Sequence, residues 1–316
     1  RGVLGCYMSP GRHGLIHCMK YWEKGRNAPV AIVCGYEPSL FVASGNAVAT
    51  GVSEYDFAGW LRNGPIEIVR APVTGLPVPA HAEIVIEGEI PPTSVETRPE
   101  GPFGEWRGYY DFDPPQPRPR VPVVHVKSVL HRNEPILLGA PPLKPPLTGE
   151  RNVISSGMLW YDLEEKIGVE DIAGVWALES GGPRLIFVVA IKQRYGGHAM
   201  HAAMAVSASR TGAYHNRLTV VVDDDIDPSD AEEVLWAIAT RSDPATDMVV
   251  IPQTWFGPGD NRLGPEKRAA RDFTHSRVII NACRPYYWKE KFPPVNKIGP
   301  ELKERMEKKW KELLKA

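Results

Sequence analysis

Cysteine is scarce. The four thiols, Cys6, Cys18, Cys34 and Cys283, are scattered over 316 residues and form no CxxC pair. That argues against a disulfide framework and fits reduced thiols in the cytoplasm. No apolar run reaches membrane-spanning length. Charge of either sign is not in excess: the net value is −1, so nothing global draws the chain to nucleic acid or to an anionic membrane. There is no internal repeat, and the chain opens at Arg1 without an initiating methionine or a signal-peptide pattern in these 316 residues. The natural beginning is therefore expected to lie upstream. What is present is globular: 43% hydrophobic and 24% charged residues, enough for one large or two ordinary domains. The 31 prolines point to many turns and stiff connections rather than long helices.

One stretch concentrates chemistry. Glu100–Tyr110 reads EGPFGEWRGYY, two carboxylates bracketing a Gly-Pro-Phe-Gly turn between strand-like segments. Gly101 and Gly104 permit backbone angles that other residues resist, and Pro102 fixes one torsion. Such a loop can hold both acids toward one bound molecule. Two close acids repel when both are ionised, so a pair of this kind tends to retain one proton, which is what a general acid needs. A surface loop with two solvated glutamates is the plainer alternative.

Along the chain, residues 1–27 are rich in glycine and basic residues. Pro29–Cys34 suits a buried strand, Pro38–Ser44 and Glu54–Arg62 short helices, with Pro38 in a first turn and Ser53 as an N-cap. Ile66–Arg70, Ala82–Ile90, Val121–Arg132 and Pro135–Gly139 are strand candidates. In Ala82–Ile90 the alternation sets Glu83, Glu87 and Glu89 on one charged side. Many short strands with Gly/Pro turns suggest a small barrel or sandwich. The proline-rich Pro141–Thr148 reads as a linker, which divides the chain into 1–140, a connection at 141–150, a second domain at 151–298 and a terminal helix at 299–316.

The second half alternates. Asn152–Ile167, His198–Arg210 and Pro228–Arg241, the last capped by Asp227, read as helices; Leu185–Lys192, Leu218–Val222 and Asp247–Ile251 read as strands. This rhythm implies an α/β domain with a largely parallel sheet. Trp255–Pro300 reads as irregular. Glu301–Lys315 is an amphipathic helix whose stripe of Leu302, Met306, Trp310 and Leu313 suits docking either on another subunit or on its own domain.

These segments together carry a resemblance. PGRHG from Pro10, SEYDFAGWLR from Ser53, AEIVIEGEI from Ala82, the acid loop, IKQRYGGHA from Ile191 and WAIATRSDP from Trp236 resemble the UbiD family of decarboxylases over nearly the whole chain. The set is specific, although no single motif is. The resemblance implies a split-barrel flavin-binding domain with an α/β region. It implies prenylated FMN supplied by a flavin prenyltransferase, with a divalent metal, usually manganese, and potassium near the phosphate. It implies reversible removal of CO2 from an unsaturated or aromatic acid, with the cofactor as electron sink and the protein supplying position, charge and a proton. It also implies a homo-oligomer or a heteromer with a related subunit.

Carried over residue by residue, Glu105 is the proton donor and Glu100 its partner. Glu54 is the carboxylate metal ligand, a hard donor suited to a hard ion. His13 is the histidine ligand, with Arg12 beside the flavin. Arg210 meets the flavin phosphate, for which a guanidinium is well shaped. Taken alone, Glu54 is equally a helix-dipole glutamate, Arg210 a helix C-terminal charge, Arg12 a surface charge and His13 a turn histidine. His17 and His198 are read as structural. The family's asparagine ligand and its carboxylate-gripping arginine would fall before Arg1. Two readings follow: a prenyl-flavin decarboxylase or carboxylase, favoured by the intact acid pair with His13 and Glu54, or a non-catalytic subunit that binds an active partner.

Overall fold

The computed structural model describes residues 2–6, 8, 13–46, 51–102, 104–110, 118–137, 139, 143–144, 150–257 and 259–314. The first half runs β1 (Val3–Gly5), α1 (His13–Trp22), β2 (Ala28–Cys34), α2 (Pro38–Gly45), α3 (Glu54–Leu61), β3 (Ile68–Arg70), β4 (Pro77–Pro79), β5 (Ile84–Ile90), β6 (Arg98–Glu100), β7 (Arg118–Val121) and β8 (Val123–His131). Local chemistry starts the two short helices where expected. The Glu37 carboxylate accepts the Leu40 N–H at 3.2 Å with Pro38 in the first turn, and the Ser53 hydroxyl accepts the Tyr55 N–H at 3.1 Å.

Four strands form an antiparallel sheet in the order β1-β8-β5-β2, with β3-β4 and β6-β7 as separate two-stranded pieces. α1 lies on β2, where Cys18, Ala28, Ile90 and Val124 are buried together and the Trp22 indole N–H donates to the Ile90 carbonyl at 3.0 Å. The charged side of β5 is not solvated at Glu87. Glu87 is 0% exposed and its carboxylate accepts the N–H groups of Val73 and Thr74 and the Thr74 hydroxyl, at 3.0, 2.7 and 2.8 Å. Those donors outweigh burial and hold the carboxyl below its ordinary range. Residues 135–137 and 139, expected as strand, are irregular.

The second half runs α4 (Glu150–Tyr161), continued by a π-helical stretch Asp162–Ile167, then β9 (Ile172–Ala177), β10 (Ile186–Ile191), α5 (His198–Ala208), α6 (Arg210–Ala213), β11 (Leu218–Asp223), α7 (Ala231–Arg241), β12 (Met248–Trp255), α8 (Pro265–Ala269), β13 (Thr274–Ala282) and α9 (Pro300–Leu313). The sheet order is β12-β13-β11-β10-β9. Only β10, β11 and β13 are parallel; both edges run antiparallel, so the sheet is mixed rather than largely parallel. α4, the π-helical stretch and α5 cover one face, packing Leu159, Leu163, Ala202 and Val206 on Phe187, Val221 and Ile279. α7 covers the other with Val234 and Ala237 on Val188, Val220 and Val222. Strands buried on both faces read as continuous apolar runs, and each fully buried valine contributes about 1.5–3 kcal/mol relative to exposure.

Two further differences have physical causes. The segment read as irregular contains β13, a central strand whose N-terminal half is polar. α7 starts one turn later than expected: Asp227 closes a turn on Ser229 (2.8 Å), and Asp230 caps the helix by accepting the Glu232 and Glu233 N–H groups at 2.9 and 3.2 Å. No helix among the described residues is long and apolar enough to cross a membrane.

Candidate functional site

The acid loop is the tip of the β6-β7 hairpin, paired at Arg98↔Val121 and Glu100↔Arg118. Gly101 takes φ +93°, a left-handed angle that favours glycine. Beyond it the chain closes a smaller turn: Gly104 bridges Tyr110, the Glu105 N–H donates to the Tyr109 carbonyl at 2.9 Å, and the Gly108 N–H to the Glu105 carbonyl at 2.8 Å. Glu105 is thereby fixed at the first position of a tight turn, with Trp106 and Arg107 at its apex.

The two acids face different neighbours. Glu100 lies over β1. A Cβ at Gly5 would overlap its carboxyl group, and its Oε2 is buried with no hydrogen-bond partner. Cys6 shares this spot, and its thiol pKa is pushed up by burial and then by the Glu100 charge. Glu105 is half-buried beside Arg107, itself buried. Burial lowers the Arg107 guanidinium, with Glu105 and Asp260 opposing.

The apex docks on the second half of the molecule. Trp106 meets the His215 ring edge-on at 5.6 Å. Tyr214, His215, Trp255, Phe256 and His275 continue from there as an aromatic socket, with centroid separations of 3.8 Å for Tyr214–His215, 4.7 Å for His215–Phe256 and 4.4 Å for Phe256–His275. Arg217 covers the Phe256 ring at 5.0 Å and donates to the buried Asp260 at 2.7 Å. A Cβ at Gly259 would stand 2.5 Å from Arg107 Nη1, so that position admits only glycine while the arginine is seated.

Arg210 opens α6 and is exposed, and the same short segment continues into Tyr214 and His215. The structure thus joins the Arg210 turn to the Glu105 turn through the socket. Among the described residues no hydrogen bond, ion pair or ring contact joins Glu54 or His13 to them. Glu54 is half-buried at the start of α3, and His13 is exposed at the start of α1, edge-on to His17 at 6.4 Å. Arg12 lies outside the described residues. Among the described residues no group of three His, Cys, Asp or Glu side chains is gathered for a metal. His198 is buried within hydrogen-bonding distance of the Glu170 carbonyl (3.1 Å). Sequence reasoning missed Gly5, Arg107, His215 and Asp260. Only Arg107, two residues past Glu105, carried a local signal.

Family models match both halves: the 3-octaprenyl-4-hydroxybenzoate carboxy-lyase Rift-related domain over residues 1–145 and the corresponding C-terminal domain over 153–282. The chain belongs to the UbiD family. A phenolic acid decarboxylase of Bacillus subtilis (strain 168) is 32% identical over 89% of this chain and 57% of its own length. One from Streptomyces sp. (strain D7) is 34% identical over 87% of this chain and 55% of its own. Among solved structures, the UbiD-class enzyme HmfF from Pelotomaculum thermopropionicum in complex with FMN superposes with TM-score 0.78 at 30% identity, covering 95% of this chain and 63% of that one. The open form of Sedimentibacter hydroxybenzoicus vanillic acid decarboxylase gives 0.80 at 28% identity, covering 100% of this chain and 65% of that one. This UbiD chain therefore spans a little over half the length of the curated relatives it matches.

Proposed function

We propose that this chain is part of a UbiD-class carboxy-lyase that decarboxylates an aromatic or other unsaturated acid with prenylated FMN. Its relatives include phenolic acid decarboxylases, and solved neighbours hold FMN or prFMN. On this reading the four-stranded sheet is part of a split barrel, and residues 141–150 connect it to the α/β domain. The observation that carries the reading is the acid loop. One carboxyl has a buried oxygen without a partner, and the other is fixed in a turn locked against the second half of the molecule.

The residues present fit a flavin mononucleotide. Arg210 supplies a guanidinium for the phosphate, and Glu100 offers an orphaned acceptor that a bound ring system or substrate hydroxyl can satisfy. Bound there, the cofactor would supply an electron sink for the pair of electrons left on the carbon as CO2 departs. Glu105 delivers a proton to the carbon that CO2 leaves, so acid goes to decarboxylated product plus CO2. Glu100 sets the charge around that transfer, and the Trp106–His215 contact keeps the turn from swinging into water. Glu54 and His13 are donors of the right kind for a divalent ion such as manganese, as two of its ligands.

The terminal helix is assigned to a second copy of the chain. Leu302, Met306 and Trp310 are 43, 39 and 56% exposed and line a groove with Ile298 and Leu314. The flank of that groove alternates Lys303, Glu307 and Lys311. Two such helices packed antiparallel with a one-turn offset set lysine against glutamate across the seam.

The test is co-expression with a flavin prenyltransferase, followed by absorbance and CO2 exchange on a panel of phenolic acids. A bound modified flavin with exchange supports the enzyme. A colourless, inactive protein supports a subunit that serves an active partner. Glu105→Gln is expected to abolish turnover while flavin stays bound, and unchanged turnover rejects the proton-donor role.

A further inference from the structure

We infer that Arg277, a buried arginine of β13, is a positioning residue that aims Arg210 at the flavin phosphate and fixes the socket for the acid loop. This goes beyond the reading above but rests on its assignment of Arg210.

Arg277 is 1% exposed. Its Nη1 donates to the carbonyls of Ser207 (3.0 Å) and Gly212 (3.3 Å), and its Nη2 to the carbonyl of Ala213 (2.8 Å). Among the described residues no carboxylate lies within ion-pair distance of it. A buried guanidinium without a counter-ion costs several kcal/mol, so its place needs a reason. These three carbonyls belong to the last turns of α5 and α6, where no intrahelical donor remains. One planar fork therefore ties the end of one helix to the end of the next.

The same turn is gripped from the other side. Asp162, buried in the π-helical stretch, accepts the Thr211 hydroxyl at 2.6 Å and the Thr211 N–H at 3.2 Å. The Ser209 hydroxyl accepts the Gly212 N–H at 2.9 Å. A Cβ at Gly212 would overlap the Val206 carbonyl, so the backbone there is packed without slack. In Ser209–Ala213 every residue but one is buried or half-buried, and the exposed one is Arg210. Immediately after come Tyr214 and His215, whose rings pack together, and Trp106 rests on His215. A shift of this turn moves the phosphate contact and the acid-loop seat together. A purely structural role for Arg277 would lower stability without distinguishing one flavin from another.

FMN and riboflavin differ by the phosphate alone, so their binding separates the two roles. The whole chain is titrated with each flavin by fluorescence quenching, unmodified and as Arg277→Lys, Thr211→Val and Arg210→Ala, with melting temperatures read alongside. Arg210→Ala and Arg277→Lys are expected to weaken FMN about tenfold while riboflavin moves less than about twofold, the loss of one charge-assisted contact. The gentler Thr211→Val is expected to weaken FMN about threefold on the same scale. Equal weakening of both flavins, or no change, in Arg277→Lys and Thr211→Val overturns the positioning role. A selective loss in Arg210→Ala alone does so too, but leaves the phosphate contact standing. No selective loss in Arg210→Ala overturns the phosphate contact and this inference with it, as does an unmodified chain that binds neither flavin. Should Arg277→Lys fail to fold, Thr211→Val carries the same decision.

Discussion

Mild acid should loosen the fold through His275. Both ring nitrogens are buried without a hydrogen-bond partner, and the ring sits edge-on to Phe256 at 4.4 Å. Burial, then the Arg217 charge, push its pKa from 6.5 down to about 4, with Asp260 opposing and Arg277 and Lys267 assisting. In the unfolded chain the ring titrates at its ordinary value. Between those two pH values the unfolded state holds more protons, so stability is full above about pH 6.5 and falls as pH drops toward 4. At about 1.4 kcal/mol per pH unit the full displacement is worth ~3 kcal/mol, and solvent screening of the partly exposed ring reduces it to about 1–2 kcal/mol. The perturbation is His275→Phe, which keeps the aromatic contact and loses no hydrogen bond. At pH 7.5 it should lie within about 1 kcal/mol of the unmodified protein. Urea unfolding at pH 7.5, 6.5, 5.5 and 4.5 then compares the two. The unmodified chain is expected to lose about 1–2 kcal/mol more than the variant over that range. His198, whose buried ring is shifted in the same direction, is common to both proteins and cancels in the difference. Parallel curves, or a steeper fall in the variant, refute the argument.

Glu87→Gln leaves its three donors facing a weaker acceptor, and should cost about 1–3 kcal/mol in denaturant unfolding. Faster amide exchange at Val73 and Thr74 should accompany it; full protection there would count against the assignment. Gly5→Ala intrudes on the far end of a flexible side chain, so the fold should change by under about 1 kcal/mol while the Glu100 carboxyl is displaced. Turnover should then fall by up to about a hundredfold at an unchanged melting temperature, the size expected when a group of the site is misplaced by an ångström. Trp310→Glu puts a charge in the exposed stripe of α9 and should convert the assembly to single chains in light scattering without altering the far-ultraviolet spectrum.

Elements whose determinants lie within a turn were legible from the residues. Ser53 starts α3 and Pro38 starts α2 through groups two or three positions away, and the acid loop declared itself because Glu100, Gly101 and Glu105 are near neighbours. Where two local signals compete, the wrong one can win: Asp227 and Asp230 both precede the α7 run, and only the turn that Asp227 closes on Ser229 shows which one caps. Glu87 looks like a solvent-facing charge because its donors lie 13 and 14 residues earlier, in a turn that alternation does not report. β13 stayed hidden for a stronger reason. An arginine and a histidine inside a short apolar run read as surface, yet Arg277 is buried by carbonyls contributed as far as 70 residues away. The site divides the same way. The acids could be seen, but their turn is seated by Trp106 on His215, a contact made only once the two halves of the chain have met, and the turn that follows Arg210 is held by Arg277 from 64 residues further on. Chemistry-bearing residues are thus readable when they cluster in one loop, whereas the groups that orient them are recruited through space. Variants in those orienting groups should alter function without touching any motif.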